Sequence, residues 1–329
     1  MALTYACEEW LASKVELASV AFRDLAIVDN AIKAASFNAV VMSASLCAPE
    51  ELRRPFDELA EALLKAADGR EIIFLQNDGN YGDSLIRYGT VRFFEDVGLR
   101  HREYDMAKRT HKAAAFGEGI FDRFRQRCLF VYSGSGAWSD VCTVGLRNVH
   151  RQMVANRNIS ILPTTFQHFG LPPDVPVFVR DRFESLKLVP HAKFCHDMAF
   201  YLAFVAPERL LSSRVPPKRT LGLAFRRDNE GRNHGLASLS CNVDMSALGR
   251  HNSDPLALLS LIDQFSEIAT DRLHIAIGAL LLGKRVLLAE GSHFKMRAIF
   301  NSSIKGIFDH CELVQDNEIY SLARAENRL

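Results

Sequence analysis

Four side chains in this sequence have the types and the settings to do chemistry. Asp83 closes the stretch "NYGD", residues 80–83, directly ahead of helix-like Ser84, Leu85 and Ile86. Arg180 stands at the end of the apolar run "VFVR", and Arg272 and His274 open the stretch "DRLHIAIGALLLG". An arginine beside a helix N-terminus, where backbone N–H groups are free, suits a phosphate or carboxylate. Histidine titrates near neutrality, so His274 is a candidate for moving a proton. Asp83 can cap its helix or accept a proton from a hydroxyl. Gly82 permits close backbone approach, and Asn80 adds donors and an acceptor.

Those residues need elements to position them. Apolar runs alternate with helix-period stretches. Strands are predicted at 38–44, 71–76, 128–134, 159–166 and 175–181, with helices at 49–68 (interrupted or restarted at Pro55) and 83–98 (ending at Gly98). After "SSRVPPKRT" (212–220), which reads as a linker, the pattern repeats. A strand at Leu221–Asp228 is followed by a helix near 255–268, a second helix from Thr270 and a strand at 285–290. For the second helix Thr270 is the expected N-cap, Asp271, Arg272 and Leu273 the first turn, and Gly283 the stop. This alternation predicts an α/β fold with parallel sheets, divided into residues 1–211 and 212–329, with a cleft between them as the ligand site.

Further candidates lie in the loops. Ser133, Gly134, Ser135 and Gly136 follow a strand and offer backbone N–H groups. Arg226 and Arg227 end a strand as Arg180 does. For Arg180 the plainer expectation is a surface ion pair with Asp181 or Glu184. For Arg272 it is pairing with Asp271 or a neighbour. His191, Cys195, His196 and Asp197 cluster in sequence, but no second ligand pair has zinc spacing, so a structural role is expected for them. Polar residues around 226–235 read as a solvated loop.

The bulk numbers narrow the classes. Net charge is +1 over 329 residues, which argues against a protein that coats nucleic acid. The seven cysteines are scattered, with no Cys-x-x-Cys pair, as expected in a reducing cytosolic compartment. Glu8, Glu9, Lys14 and Glu16 break the N-terminal apolar pattern, so neither a signal peptide nor a membrane span is expected.

Taken in order, "NYGDSLI", "VFVRDRFES", "CHDMAF", "TDRLHIAIGALLLGKRVLL" and "HFKMRAIFNS" resemble the polysaccharide pyruvyl transferase family over residues 71–311. Two features depart from the family pattern. The glycine-rich loop, which often carries three glycines, reads Ser133, Gly134, Ser135, Gly136 here, and Pro163–Thr164 stands for a Pro-Gln pair. The resemblance implies two Rossmann-like domains facing a cleft in a GT-B-like arrangement. It implies phosphoenolpyruvate as donor and a pair of sugar hydroxyls as acceptor, giving a pyruvate ketal on an exported or cell-surface polysaccharide. Arg180, Arg272, Leu273, Thr270 and Arg226 would hold the donor. Asn80, Gly82, Gly134, Ser135 and Gly136 would face the acceptor. His274 and Asp83 would serve as acid and base, in that order or reversed. No metal and no cofactor is required. Acceptors of this kind are often lipid-linked, which extends the expected cytoplasmic location to the inner membrane face. A GT-B glycosyltransferase using a nucleotide-sugar is the alternative.

Overall fold

A run of four apolar residues, Ile72–Leu75, forms the heart of strand β1 (Glu71–Gln76), and each of the four is fully buried. A strand buried on both faces belongs in a parallel sheet covered by helices. The computed structural model describes residues 50–136, 138, 147–151, 158–167, 172–205, 217, 219–228, 230–231 and 234–325. The expected strand at 38–44 and most of the 212–220 stretch, including Arg214 and Lys218, lie outside these residues.

Two parallel sheets organise the chain. The first holds β1, β2 (His101–Asp105), β3 (Cys128–Tyr132), β4 (Ile159–Thr164), β5 (Val177–Val179) and β6 (Lys193–Phe194), in the order β2-β1-β3-β4-β5-β6. The second holds β7 (Arg219–Leu223), β8 (Phe265–Thr270), β9 (Arg285–Ala289) and β10 (Cys311–Val314), in the order β10-β9-β8-β7. The mixed α/β class with parallel sheets is as the sequence predicts. The largest core cluster draws on both sheets, with Leu129, Val131 and Phe178 from the first and Ile268, Val286 and Leu288 from the second.

Helix α1 (Glu50–Ala67) runs without a break, and Pro55 lies inside it. The expected interruption does not occur. Proline cannot donate to the carbonyl four residues back, which is that of Glu51. That carbonyl instead pairs with His196 Nε2 at 3.1 Å, while His196 Nδ1 meets Ser303 Oγ at 2.8 Å. The ring therefore donates from Nε2 and accepts from the serine hydroxyl. So His196 is structural, as expected, and it secures α1 to the end of β6.

Helix α2 (Asp83–Val97) ends at Gly98, whose φ of 76° is left-handed, as the sequence predicts. Its Gly89 lies against the 3-10 segment Met198–Phe204, where a Cβ would stand 2.0 Å from the Met198 carbonyl oxygen. Helix α3 (Arg109–Arg125) follows β2. The helix expected near 255–268 is shorter. It is α4 (Pro255–Ile262), and Phe265–Thr270 is strand β8. Only the apolar end of that expected stretch, Leu256–Ile262, has helical packing. Ile268, Ala269 and Thr270 are buried as in a central strand. Helix α5 (Leu273–Leu281) is apolar almost all round and is buried between elements of both sheets. It stops before Gly283, whose φ is 67°. Helix α6 (Lys295–Ile299) continues into a π-helical turn, Phe300–Ile304. The side chain of Ser302 in that turn accepts the Arg182 N–H at 2.9 Å, another link between the sheets.

Burial holds His196 below its ordinary range, at about 4, and the charge of Arg182 acts in the same direction. The unfolded chain binds that proton more readily. Stability linked to His196 is therefore complete above the unfolded value near 6.5 and falls as pH drops toward 4. We expect urea unfolding to show a loss on the order of 3 kcal/mol between pH 7 and pH 4 from this group. His196→Gln should flatten that part of the profile, and an unchanged profile would remove His196 as its source.

Candidate active site

The carboxyl ends of both sheets open onto one cavity of about 800 Å³, counting the solvent at its mouth. β1 contributes the loop from Asp78 to Asp83, β3 contributes Ser135 and Gly136, and β5 contributes Arg180. β7 contributes Arg226 and Glu230, β8 contributes Asp271, Arg272, Leu273 and His274, and Lys295 closes the wall from α6.

The first loop is held before any ligand arrives. Gly79 donates to His251 Nδ1 at 3.3 Å, and its carbonyl accepts the His251 N–H at 3.1 Å. His251 Nε2 lies 2.9 Å from Asp105 Oδ1, so the ring donates there. Tyr81 donates its hydroxyl to the Asp254 carbonyl at 2.8 Å. Asp83 does not cap α2. Gly82 is the N-cap residue and makes no side-chain cap, while Asp83 Oδ2 accepts the Asn80 N–H at 2.8 Å. Asn80 Oδ1 in turn accepts the Gly82 N–H at 2.8 Å. Gly82 itself is the seat of His274, since a Cβ there would stand 2.7 Å from His274 Cβ and 3.0 Å from its Nδ1.

Asp197 is the carboxylate on which the site converges, and it stands outside the expected set. It is 1% exposed. Its Oδ1 caps the 3-10 segment by accepting the Ala199 N–H at 2.9 Å. Its Oδ2 accepts from Arg180 Nη1 and lies 3.4 Å from His274 Nε2. Burial pushes the Asp197 carboxyl up. The charge and hydrogen bond of His274, with Arg180 and Ala199 behind them, outweigh that and hold it well below the usual carboxylate range. The sequence signal was present in Cys-x-Asp, residues 195–197. Arg180 thus pairs with Asp197 rather than with Asp181 or Glu184, and its Nε donates to Thr165 Oγ1 at 2.8 Å. Asp181 instead accepts the Glu184 and Ser185 N–H groups at 2.8 and 2.9 Å.

The second cationic group is equally committed. Arg272 Nε and Nη2 donate to Asp244 at 3.0 and 2.6 Å, and Nη2 lies 2.9 Å from Asp228. Its partners are thus 28 and 44 residues away, and it makes no pair with Asp271. Arg226 pairs with Asp228 at 2.7 Å and Glu230 at 2.6 Å, and Glu230 also lies 3.5 Å from Lys295. Burial lowers the Lys295 ammonium, and the charges of Arg180 and Arg226 add to that against the pull of Glu230. Burial pushes Glu230 up, but Lys295 and Arg226 hold it below its ordinary value. Arg226 and Glu230, expected in a solvated loop, therefore line the cavity. Arg227 turns away, to the Ala237 and Asn242 carbonyls.

Several expected residues have other duties. Thr270 does not cap α5. Arg272 is the N-cap residue, and Thr270 Oγ1 donates to the Ala224 carbonyl at 2.7 Å and accepts the Arg272 N–H at 2.9 Å. Gly134 packs on Pro163, with room for no side chain, because a Cβ would stand 2.3 Å from that carbonyl oxygen. Ser135 and Gly136 do line the cavity, and Gly136 faces Arg180 and Lys295.

A family model described as polysaccharide pyruvyl transferase matches residues 80–292, nearly two thirds of the chain. The chain belongs to the polysaccharide pyruvyl transferase family. The matched span runs from Asn80 to just beyond β9, and so contains Asp83, Arg180, Asp197, Arg272 and His274. Membership supports a pyruvyl transfer role and a polysaccharide acceptor. No curated protein matches the chain. A solved structure of an uncharacterized protein, KP1_0663, from Klebsiella pneumoniae subsp. pneumoniae NTUH-K2044, is similar with a TM-score of 0.63 and 21% identity. The likeness covers 78% of this chain and 97% of that one, and it concerns the fold alone. Among the described residues no helix is long and apolar enough to cross a membrane.

Removing one partner of a buried ion pair strands the other. We expect Arg180→Ala to cost about 3–5 kcal/mol in urea unfolding at pH 7. A loss below about 1 kcal/mol would mean that His274 and the Ala199 N–H suffice for Asp197.

Proposed function

We propose that the protein transfers the enolpyruvyl group of phosphoenolpyruvate to a pair of sugar hydroxyls, forming a pyruvate ketal and releasing phosphate. One observation carries this reading. Arg180, Arg226, Arg272 and Lys295 converge on the same cavity as His274 and its Asp197 partner. A donor with a carboxylate and a phosphate needs cations that fork onto planar and tetrahedral anions. It also needs an acid beside C3, since protonation there makes C2 electrophilic. His274 is that acid, and Asp197, 3.4 Å from its Nε2, orients its ring. Asp83, fixed by the Asn80 N–H, orients the sugar. Leu273, between Arg272 and His274 in sequence, lines the cavity and supplies apolar contact for the donor's methylene carbon.

The cations are already paired, so the donor must displace something. Asp228 is 46% exposed and Glu230 28% exposed, whereas Asp197 and Asp244 are buried. Asp228 and Glu230 are therefore the carboxylates that exchange for the donor's anions. Asp197 and Asp244 stay in place and keep Arg180 and Arg272 aimed.

The same reading gives two Rossmann-like domains in a GT-B-like arrangement, with residues 1–211 on the acceptor side and 212–329 on the donor side. It also gives a cytoplasmic enzyme acting on exopolysaccharide or cell-surface polysaccharide precursors. A lipid-linked oligosaccharide acceptor would bring it to the inner membrane face.

A ligand that binds only the folded state raises the unfolding midpoint. Phosphoenolpyruvate should do so, and Arg226→Ala should abolish the rise. A rise with nucleotide-sugars alone would favour the glycosyltransferase instead. Removing the competing charge in Glu230→Gln should tighten phosphoenolpyruvate binding by about fivefold, equivalent to roughly 1 kcal/mol. Weaker binding in a calorimetric titration would reject the exchange of carboxylates. His274→Ala should keep donor binding and lose about 10²–10⁴-fold in turnover. Near-normal turnover would remove His274 as the acid.

A further inference from the structure

Among the described residues, Asp271 is, with Asp83, a cavity carboxylate that the cationic pairs leave over. It lies between the end of β8 and the start of α5, lines the cavity and is 1% exposed. Its Oδ1 accepts the Arg226 backbone N–H at 2.9 Å, which fixes the carboxyl group. Among the described residues its Oδ2 has no hydrogen-bond partner. Two arginines lie close by, yet both turn their guanidinium groups elsewhere, Arg226 to Asp228 and Glu230 and Arg272 to Asp244 and Asp228.

Buried acceptors in folded proteins are almost always satisfied. A buried, unsatisfied acceptor on a residue of the cavity lining calls for a ligand that donates. The donor substrate is no such ligand, since ionised phosphoenolpyruvate has only acceptor oxygens and its charge would repel a carboxylate. A sugar hydroxyl donates.

We infer that Asp271 is a further catalytic residue, the base whose free Oδ2 takes the proton of the acceptor hydroxyl that attacks C2. The inference rests on the pyruvyl-transfer reading and adds to it the group that activates the acceptor. His274 gives its proton to C3, and the C2=C3 π pair forms the new C3–H bond. The first hydroxyl oxygen bonds to C2 as its proton passes to Asp271. The bond from C2 to the phosphate oxygen then breaks. Phosphate leaves with the electron pair and takes the proton from Asp271. The second hydroxyl closes the ketal at C2 and returns a proton to His274. The products are the ketal and inorganic phosphate, and both side chains end as they began.

The environment suits that task. Burial pushes the Asp271 carboxyl up to about 6, against the pull of the Arg226 N–H and of both arginines. It is thus a stronger base than an ordinary aspartate and is still ionised at neutral pH.

Asp271→Asn keeps the shape and removes the titration. Phosphate release from phosphoenolpyruvate should be followed with methyl hexopyranosides bearing a free 4,6-diol. The variant should lose about 100-fold or more in kcat, keep the midpoint rise with phosphoenolpyruvate, and lose the acid limb of the rate profile near pH 6. Asp271→Glu should restore part of the rate. Wild-type kcat within threefold in Asp271→Asn, with the acid limb intact, would overturn the assignment. A second readout needs no acceptor. A raised carboxyl value means stability present below about pH 4 and lost as pH rises through 6. The midpoint of Asp271→Asn should therefore gain on that of the wild type between pH 4 and pH 7. A constant difference would also overturn the assignment. A wild-type protein whose midpoint ignores phosphoenolpyruvate would instead reject the parent reading, and this inference with it.

Discussion

One carboxylate sets the geometry on which the site depends. Asp197 follows the last strand of the first sheet. It receives Arg180 from that sheet and His274 from the helix that follows β8 in the second. Its other oxygen is bound to its own chain through Ala199. Taking an ion out of water is costly, and a buried pair often stabilises less than an apolar contact of the same size. What the arrangement supplies is position. Arg180 and His274 are 94 residues apart in sequence, and Asp197 fixes both against a single atom, Oδ2. The apolar surroundings, with Met198, Ala199 and Phe200 buried beside it, keep water from dissolving that junction.

The rest of the cavity follows the same logic of paired charge. Asp197 with Arg180 and Asp244 with Arg272 are buried pairs. Asp228 and Glu230 lie nearer solvent; both pair with Arg226, Asp228 also with Arg272 and Glu230 also with Lys295. A cleft built this way shows little excess charge to the outside, in keeping with a chain of net charge +1. Inner pairs aim the guanidinium groups, while outer carboxylates occupy the places that an anionic ligand would want. Selectivity then favours ligands whose two anionic groups match both outer positions together.

Much of this was legible in the sequence because it depends on local pattern. The buried strands appear as apolar runs, Gly98 and Gly283 mark helix ends, and Asp83, Arg180, Arg226, Arg272, Leu273 and His274 all line the cavity. What the sequence did not give was the choice of partner across long separations. Arg272 ignores its neighbour Asp271 for Asp244, and Arg180 ignores Asp181 for Asp197, because each strand and helix points its side chains along directions set by the sheet. Asp271 is next to Arg272 in sequence and, among the described residues, makes no ion pair with it for the same reason. The helix runs through Pro55, against local expectation, because the carbonyl that proline leaves free is met by His196, far along the chain. Thr270 looked like a helix cap because its type is right, but its hydroxyl bridges Ala224 and Arg272 at the end of a strand.

The contact between Gly82 and His274 carries a consequence for how such a chain can vary. The imidazole rests directly on backbone, with no space for even a methyl group at residue 82. Any side chain there would lift the ring off its seat and away from Asp197. The two positions are therefore locked in inheritance. A relative that carries any other residue at position 82 must seat its ring elsewhere or carry a different side chain at position 274.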